Sequence, residues 1–103
     1  MEPKLSLNEA KAVVSMKTAP RVTEESIKSK IASVDYHFVG EGNTGTICII
    51  TMKNGFLTTG FSKSADPRNH DEEVGKRYAY DNAFKPLWQL EGYMLREKLS
   101  ESE

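Results

Sequence analysis

The chain has 103 residues, enough for one domain with a small core and too few for two. Its 14 basic and 15 acidic residues leave a net charge of −1, which argues against a general nucleic-acid binder, because such proteins carry a basic excess. The single cysteine, Cys48, has no internal disulfide partner, and no apolar run reaches membrane-spanning length.

These features are those expected of a soluble protein in a reducing cytosol. The opening "MEPKLSLNEAK" also lacks the apolar core of a secretion signal. Residues 1–22 read as a mobile arm or a short helix. "LNEAKAVVSMK" is weakly amphipathic, and Pro20 stops any helix there.

A helix is predicted over "TEESIKSKIASV", residues 23–34. Thr23 can cap it, Glu24 and Glu25 suit the positive end of its dipole, and Ile27, Ile31 and Val34 form one stripe. Strands follow. "DYHFV" is rich in β-formers, "EGNTG" is turn chemistry, and "TICIITMKNGFLTTGFSK" reads as a hairpin. Asn54-Gly55 predicts a two-residue type I′ turn. That turn would set Met52 opposite Leu57, Ile50 opposite Thr59 and Cys48 opposite Phe61 on the core side. The other side would carry Ile47 and Ile49. A sheet with both faces partly apolar predicts self-association.

"SADPRNHDEEVG" leads into a long helix, with Asp66 or Asn69 as cap and Pro67 at the first helical position. At 100° per residue, Ala79, Tyr80, Ala83, Phe84, Leu87, Trp88, Leu90, Met94 and Leu95 share about half the circle. Most of the helix aromatics are therefore expected to pack on the sheet. Pro86 cannot donate to the Asn82 carbonyl and should bend the helix, and Gly92 offers a second weak point or a place of close backbone approach. Glu91 falls inside the apolar arc, where a hydrogen bond to Trp88 of another element or to a lysine is expected. The fold expected is α+β: a short N-terminal helix, a three-stranded antiparallel β-meander, and a long C-terminal helix packed on the sheet. Residues 23–99 form the single domain and 100–103 a disordered tail.

The motifs "SVDY", "NGF", "EVGKRYAYDNA" and "LWQLEGY" resemble the small phage proteins of the gene-66 type, across residues 23 to 99. Pro86 departs from the polar helix former expected at its position, and His70 from a phenylalanine. This family is similar to the Thoeris anti-defence type one proteins. The resemblance implies a sponge that binds a cyclic isomer of ADP-ribose and, as in some members, cyclic oligonucleotides, without cleaving them. It implies a homo-oligomer, dimer or hexamer, with pockets between subunits, acting in the cytoplasm of the infected bacterial host. No enzyme activity, cofactor, membrane or nucleic-acid polymer is implied.

Such a ligand asks for a flat plane under the adenine, an amide at its edge and cations at its phosphates. The candidates are Asn82 for the edge, His70, Tyr78 or Tyr80 for stacking, and Arg77, Arg96 and Lys98 for phosphate, with Asn69 beside them. Lys76 and Arg68 are further cations that a neighbouring chain can bring. Each has a plainer alternative: Arg77 can pair with Asp81 four residues on, and Arg96 and Lys98 can serve the helix dipole. His37 and His70 lack the companions of a metal site. No nucleophile–base pair accompanies Glu91, so a catalytic role is not expected. The alternative function is a phage accessory protein that binds a host protein through its arm or open sheet face.

Overall fold

A computed structural model describes residues 3–15 and 19–102. The order is α1 (Leu7–Ser15), α2 (Glu24–Lys28), β1 (Ile31–Val39), β2 (Gly45–Met52), β3 (Leu57–Lys63) and α3 (Glu72–Ser102). The strands form one antiparallel sheet in the order β1-β2-β3, and α3 lies across it against β2 and β3. This is the α+β meander with a covering helix that the sequence predicts.

Local chemistry accounts for the helix starts. Ser6 and Glu9 form a reciprocal cap on α1: each backbone N–H donates to the other's side chain at 3.1 Å. The Ser6 donors also hold the Glu9 carboxyl below its usual pKa. Thr23 and Ser26 do the same for α2, at 3.0 and 3.1 Å. But α2 ends at Lys28, and Ile31 and Val34 belong to β1 rather than to a helix. The reason is cooperative. A five-residue helix gains little alone, whereas Ile31 and Val34 gain ladder partners in Met52 and Ile50.

The hairpin corrects the predicted turn. Its loop holds three residues, Lys53 to Gly55, not two. Met52 N–H donates to the Phe56 carbonyl at 2.8 Å, and Gly55 N–H to the Met52 carbonyl at 2.9 Å. Gly55 alone takes the left-handed region at the tip, with φ 91°, while the Asn54 side chain accepts the Phe56 N–H at 3.0 Å. The additional residue shifts the register by one, so Thr51 pairs with Leu57, Ile50 with Thr58 and Cys48 with Gly60. Every β3 side chain therefore faces opposite to the prediction. Thr58 and Gly60 point into the core, and Leu57 and Phe61 stand half exposed on the outer face.

The helix explains why that register holds. A Cβ at Gly60 would sit 2.2 Å from the Ala79 carbonyl oxygen and 2.3 Å from the Ala83 nitrogen. Only a glycine lets α3 approach so closely, and only this register places glycine under it. The core is then Ile27, Cys48, Ile50, Met52, Ala79, Ala83, Phe84 and Leu87. The buried stripe of α3 is narrower than predicted: Trp88, Leu90 and Met94 are each more than 40% exposed. Trp88 instead packs edge-to-face with Phe84, their ring centres 6.1 Å apart.

Asp66 caps a short 3-10 turn at Pro67–Asn69, accepting the Arg68 N–H, rather than α3 itself. Asp71 starts α3, accepting the Val74 N–H at 3.0 Å; Asn69 caps neither. α3 runs unbroken through Pro86 and on to Ser102, through most of the segment expected as a disordered tail. Gly92 has open space where a Cβ would stand, so no backbone approaches it.

Candidate functional site

The N-terminal half of α3 is where the chain concentrates its polar chemistry. Gly75, Ala79 and Ala83 keep the helix down on the sheet, and the residues between them fall on its two flanks. Lys76, Arg77 and Tyr80 face β1. Val74 and Tyr78 face the loop that follows β3.

On the β1 flank, the strand alternates so that Tyr36 and Phe38 turn toward the helix. The Lys76 ammonium lies 5.7 Å from both ring centres, and the Arg77 guanidinium 5.2 Å over Tyr80. These are cation–π distances. Lys76 also pairs with Glu73 at 3.6 Å, and Arg77 with Asp81. The Asp81 pairing predicted from spacing is therefore made, and it leaves the guanidinium exposed at the surface. Burial pushes the Tyr36 phenol above its usual pKa, with Cys48 and Tyr80 adding to the effect, so it stays a neutral donor. Lys28, Tyr36, Glu73, Lys76, Arg77 and Tyr80 line a cleft of about 490 Å³.

On the other flank, Asn69, His70 and Tyr78 meet Ser62, Lys63 and Ser64 around a pocket of about 190 Å³. The Ser64 hydroxyl in its wall is buried and has no protein partner among the described residues. Thr46, fully buried beneath Gly75, has an unpartnered hydroxyl too. Such groups are uncommon in folded proteins.

Five of the predicted residues thus flank two turns of one helix: Arg77 and Tyr80 on one side, Asn69, His70 and Tyr78 on the other. Asn82 is already engaged, its side-chain amide donating to the Phe61 carbonyl at 2.9 Å. That bond ties α3 to the edge of β3. Arg96 and Lys98 lie on the last turns of α3, roughly 28 Å or more along the helix from Arg77 at 1.5 Å per residue. One chain does not bring them to the same place. Tyr36, Phe38 and Lys28 are the residues that sequence reasoning missed. The signal was present, since aromatics at alternate positions of a strand share a face.

Chemically, the cleft offers aromatic planes, phenol donors and three cations, Lys28, Lys76 and Arg77, against one exposed carboxylate, Glu73. It suits a flat ring that carries negative charge. Among the described residues, no group of three or more histidines, cysteines or carboxylates stands together as metal ligands would.

The fold is a small α+β domain, one long helix braced on a three-stranded meander. The chain belongs to the phage protein family of N4 Gp49 and phage Sf6 gene 66, whose pattern matches residues 22–99. α1 lies outside that match. No curated protein and no solved structure matches the chain. Among the described residues, no helix is long and apolar enough to cross a membrane.

Proposed function

We propose that this phage protein is an anti-defence sponge. It binds cyclic nucleotide immune signals, cyclic ADP-ribose isomers and cyclic oligonucleotides, and holds them without cleavage in the cytoplasm of the infected host. The observation that carries the reading is the pair of cations set over aromatic rings along α3, Lys76 on Tyr36 and Phe38, Arg77 on Tyr80. An adenine with a nearby pyrophosphate needs that combination of plane and charge. The absence of turnover is part of the proposal, since a sponge needs affinity and no reacting group.

The cleft's size supports an assembly. Its 490 Å³ falls within the range of small-molecule sites, but Lys28, Glu73 and Arg77 leave its wall exposed. A second copy closing over it would enclose the ligand, as a dimer or hexamer. Arg96 and Lys98 of that copy are the phosphate partners the resemblance suggests.

Calorimetry with a cyclic ADP-ribose isomer tests this. Binding is expected for the native chain, with intact ligand recovered after heating. Loss of both cations in K76A/R77A should weaken binding about tenfold or more. No binding to any cyclic nucleotide, or recovery of a hydrolysed product, overturns the proposal.

A second reading rests on the outer sheet face, where Leu57 and Phe61 are 55% and 52% exposed. Such a face also fits an accessory protein that binds a host protein. A pull-down with L57S/F61S separates the two, because the sponge reading predicts that a loss of host-protein capture leaves signal binding intact.

A further inference from the structure

A further cavity lies at the C-terminal half of α3, roughly 20 Å along the helix from Arg77. The hairpin tip leans against the C-terminal half of the helix and leaves a pocket of about 380 Å³ between them. Its floor is Met52 and Leu87, both buried in the core. Phe56, Leu90 and Met94 form its walls and are each about half exposed. An apolar hollow of that volume with a few polar groups at one edge is the usual form of a small-molecule site.

The polar groups are not scattered. The Lys53 N–H donates to the Lys30 carbonyl at 2.8 Å, which fastens the hairpin tip to the end of the α2 segment and sets the two lysines on one rim. Lys30 is then paired with Glu91 at 2.8 Å, and the Glu91 side chain is only 12% exposed. That carboxylate is spoken for and turned away from solvent. Lys53 is exposed and makes no ion pair among the described residues. The rim therefore carries two cations against one carboxylate.

We infer that this pocket binds an amphipathic organic anion, its apolar body against Phe56, Leu90 and Met94 and its charged head at Lys53. The charge selects against an amine of the same shape, since the one carboxylate is already neutralised. The site is built within one chain, and it shares no residue with the cation–aromatic cleft. It stands whether or not the sponge reading does.

The test uses two fluorescent probes with the same aromatic body. Anilinonaphthalene sulfonate carries the anion, and N-phenyl-1-naphthylamine lacks it. The sulfonate should bind saturably, one per chain, several-fold tighter than the neutral probe. K53E should weaken the sulfonate about fivefold, the size of an exposed ion pair, and leave the neutral probe unchanged. L90E, at a position 42% exposed, should abolish both, with the circular dichroism spectrum and melting temperature checked in parallel to confirm folding. K76A/R77A should alter neither. Equal affinity for the two probes, an unchanged sulfonate affinity in K53E, or binding that survives L90E overturns the site. So does binding that falls as protein concentration rises, which would mean that a second copy covers the groove.

Discussion

Replacing Gly60 with alanine tests the central packing of the fold. The new methyl would stand 2.2 Å from the Ala79 carbonyl oxygen, 2.3 Å from the Ala83 nitrogen and 2.8 Å from the Asn82 carbonyl carbon. All three are helix backbone, so no side chain can swing aside. Restoring an ordinary contact near 3.4 Å requires α3 to withdraw by about 1 Å. A gap of that size forfeits a quarter to a half of each van der Waals contact, and Ala79, Ala83, Phe84 and Leu87 all bury against the sheet there. The cost belongs at or above the top of the overpacking range, about 3 kcal/mol. For a domain of this size that corresponds to a fall in Tm of roughly 12–24 °C. Urea unfolding followed by Trp88 fluorescence, with thermal melting by circular dichroism, gives both numbers. A G60A protein within about 1 kcal/mol of the native chain would refute the close approach and, with it, the register that places Gly60 under the helix.

Gly92 should respond in the opposite sense: it lies inside the same helix in open space, so G92A should stabilise by about 1 kcal/mol in the same urea assay. N82A removes the donor to the Phe61 carbonyl and should cost about 1 kcal/mol by the same measurement, even with no ligand present. A stability unchanged in N82A would free Asn82 for recognition alone. Burial pushes the Cys48 thiol above its usual pKa, so the folded chain keeps the proton where the unfolded chain releases it. The unfolded state then binds fewer protons, and stability should decline as pH rises above about 8.5. C48A should flatten that decline between the ordinary thiol range and the tyrosine range. Thiol reagents should label native Cys48 only at the rate of unfolding.

Much of the candidate site was legible in the residue order, though not its assembly. Arg77 and Tyr80 could be named from the helix, and Asn69, His70 and Tyr78 from its approach, because local sequence sets which flank of a helix each residue takes. Their cross-chain companions could not. Lys76 meets Tyr36 and Phe38 only because β1 pairs with β2 and α3 packs on β2 beside it. Asn82 illustrates the converse: its type suggested recognition, and its position gave it a carbonyl of β3 to hold.

By itself, the amino-acid order determined the kinds of element and several of their starts: the cap at Thr23, the turn at Asn54-Gly55, and a long helix after Pro67. These depend on residues within a few positions of one another, and local conformational energy decides them. The tertiary structure alone decided the hairpin register, the narrow buried stripe of α3 and the exposure of Trp88. Each depends on how closely one element can approach another, and that distance is set at Gly60, where a missing side chain lets the helix rest on the sheet.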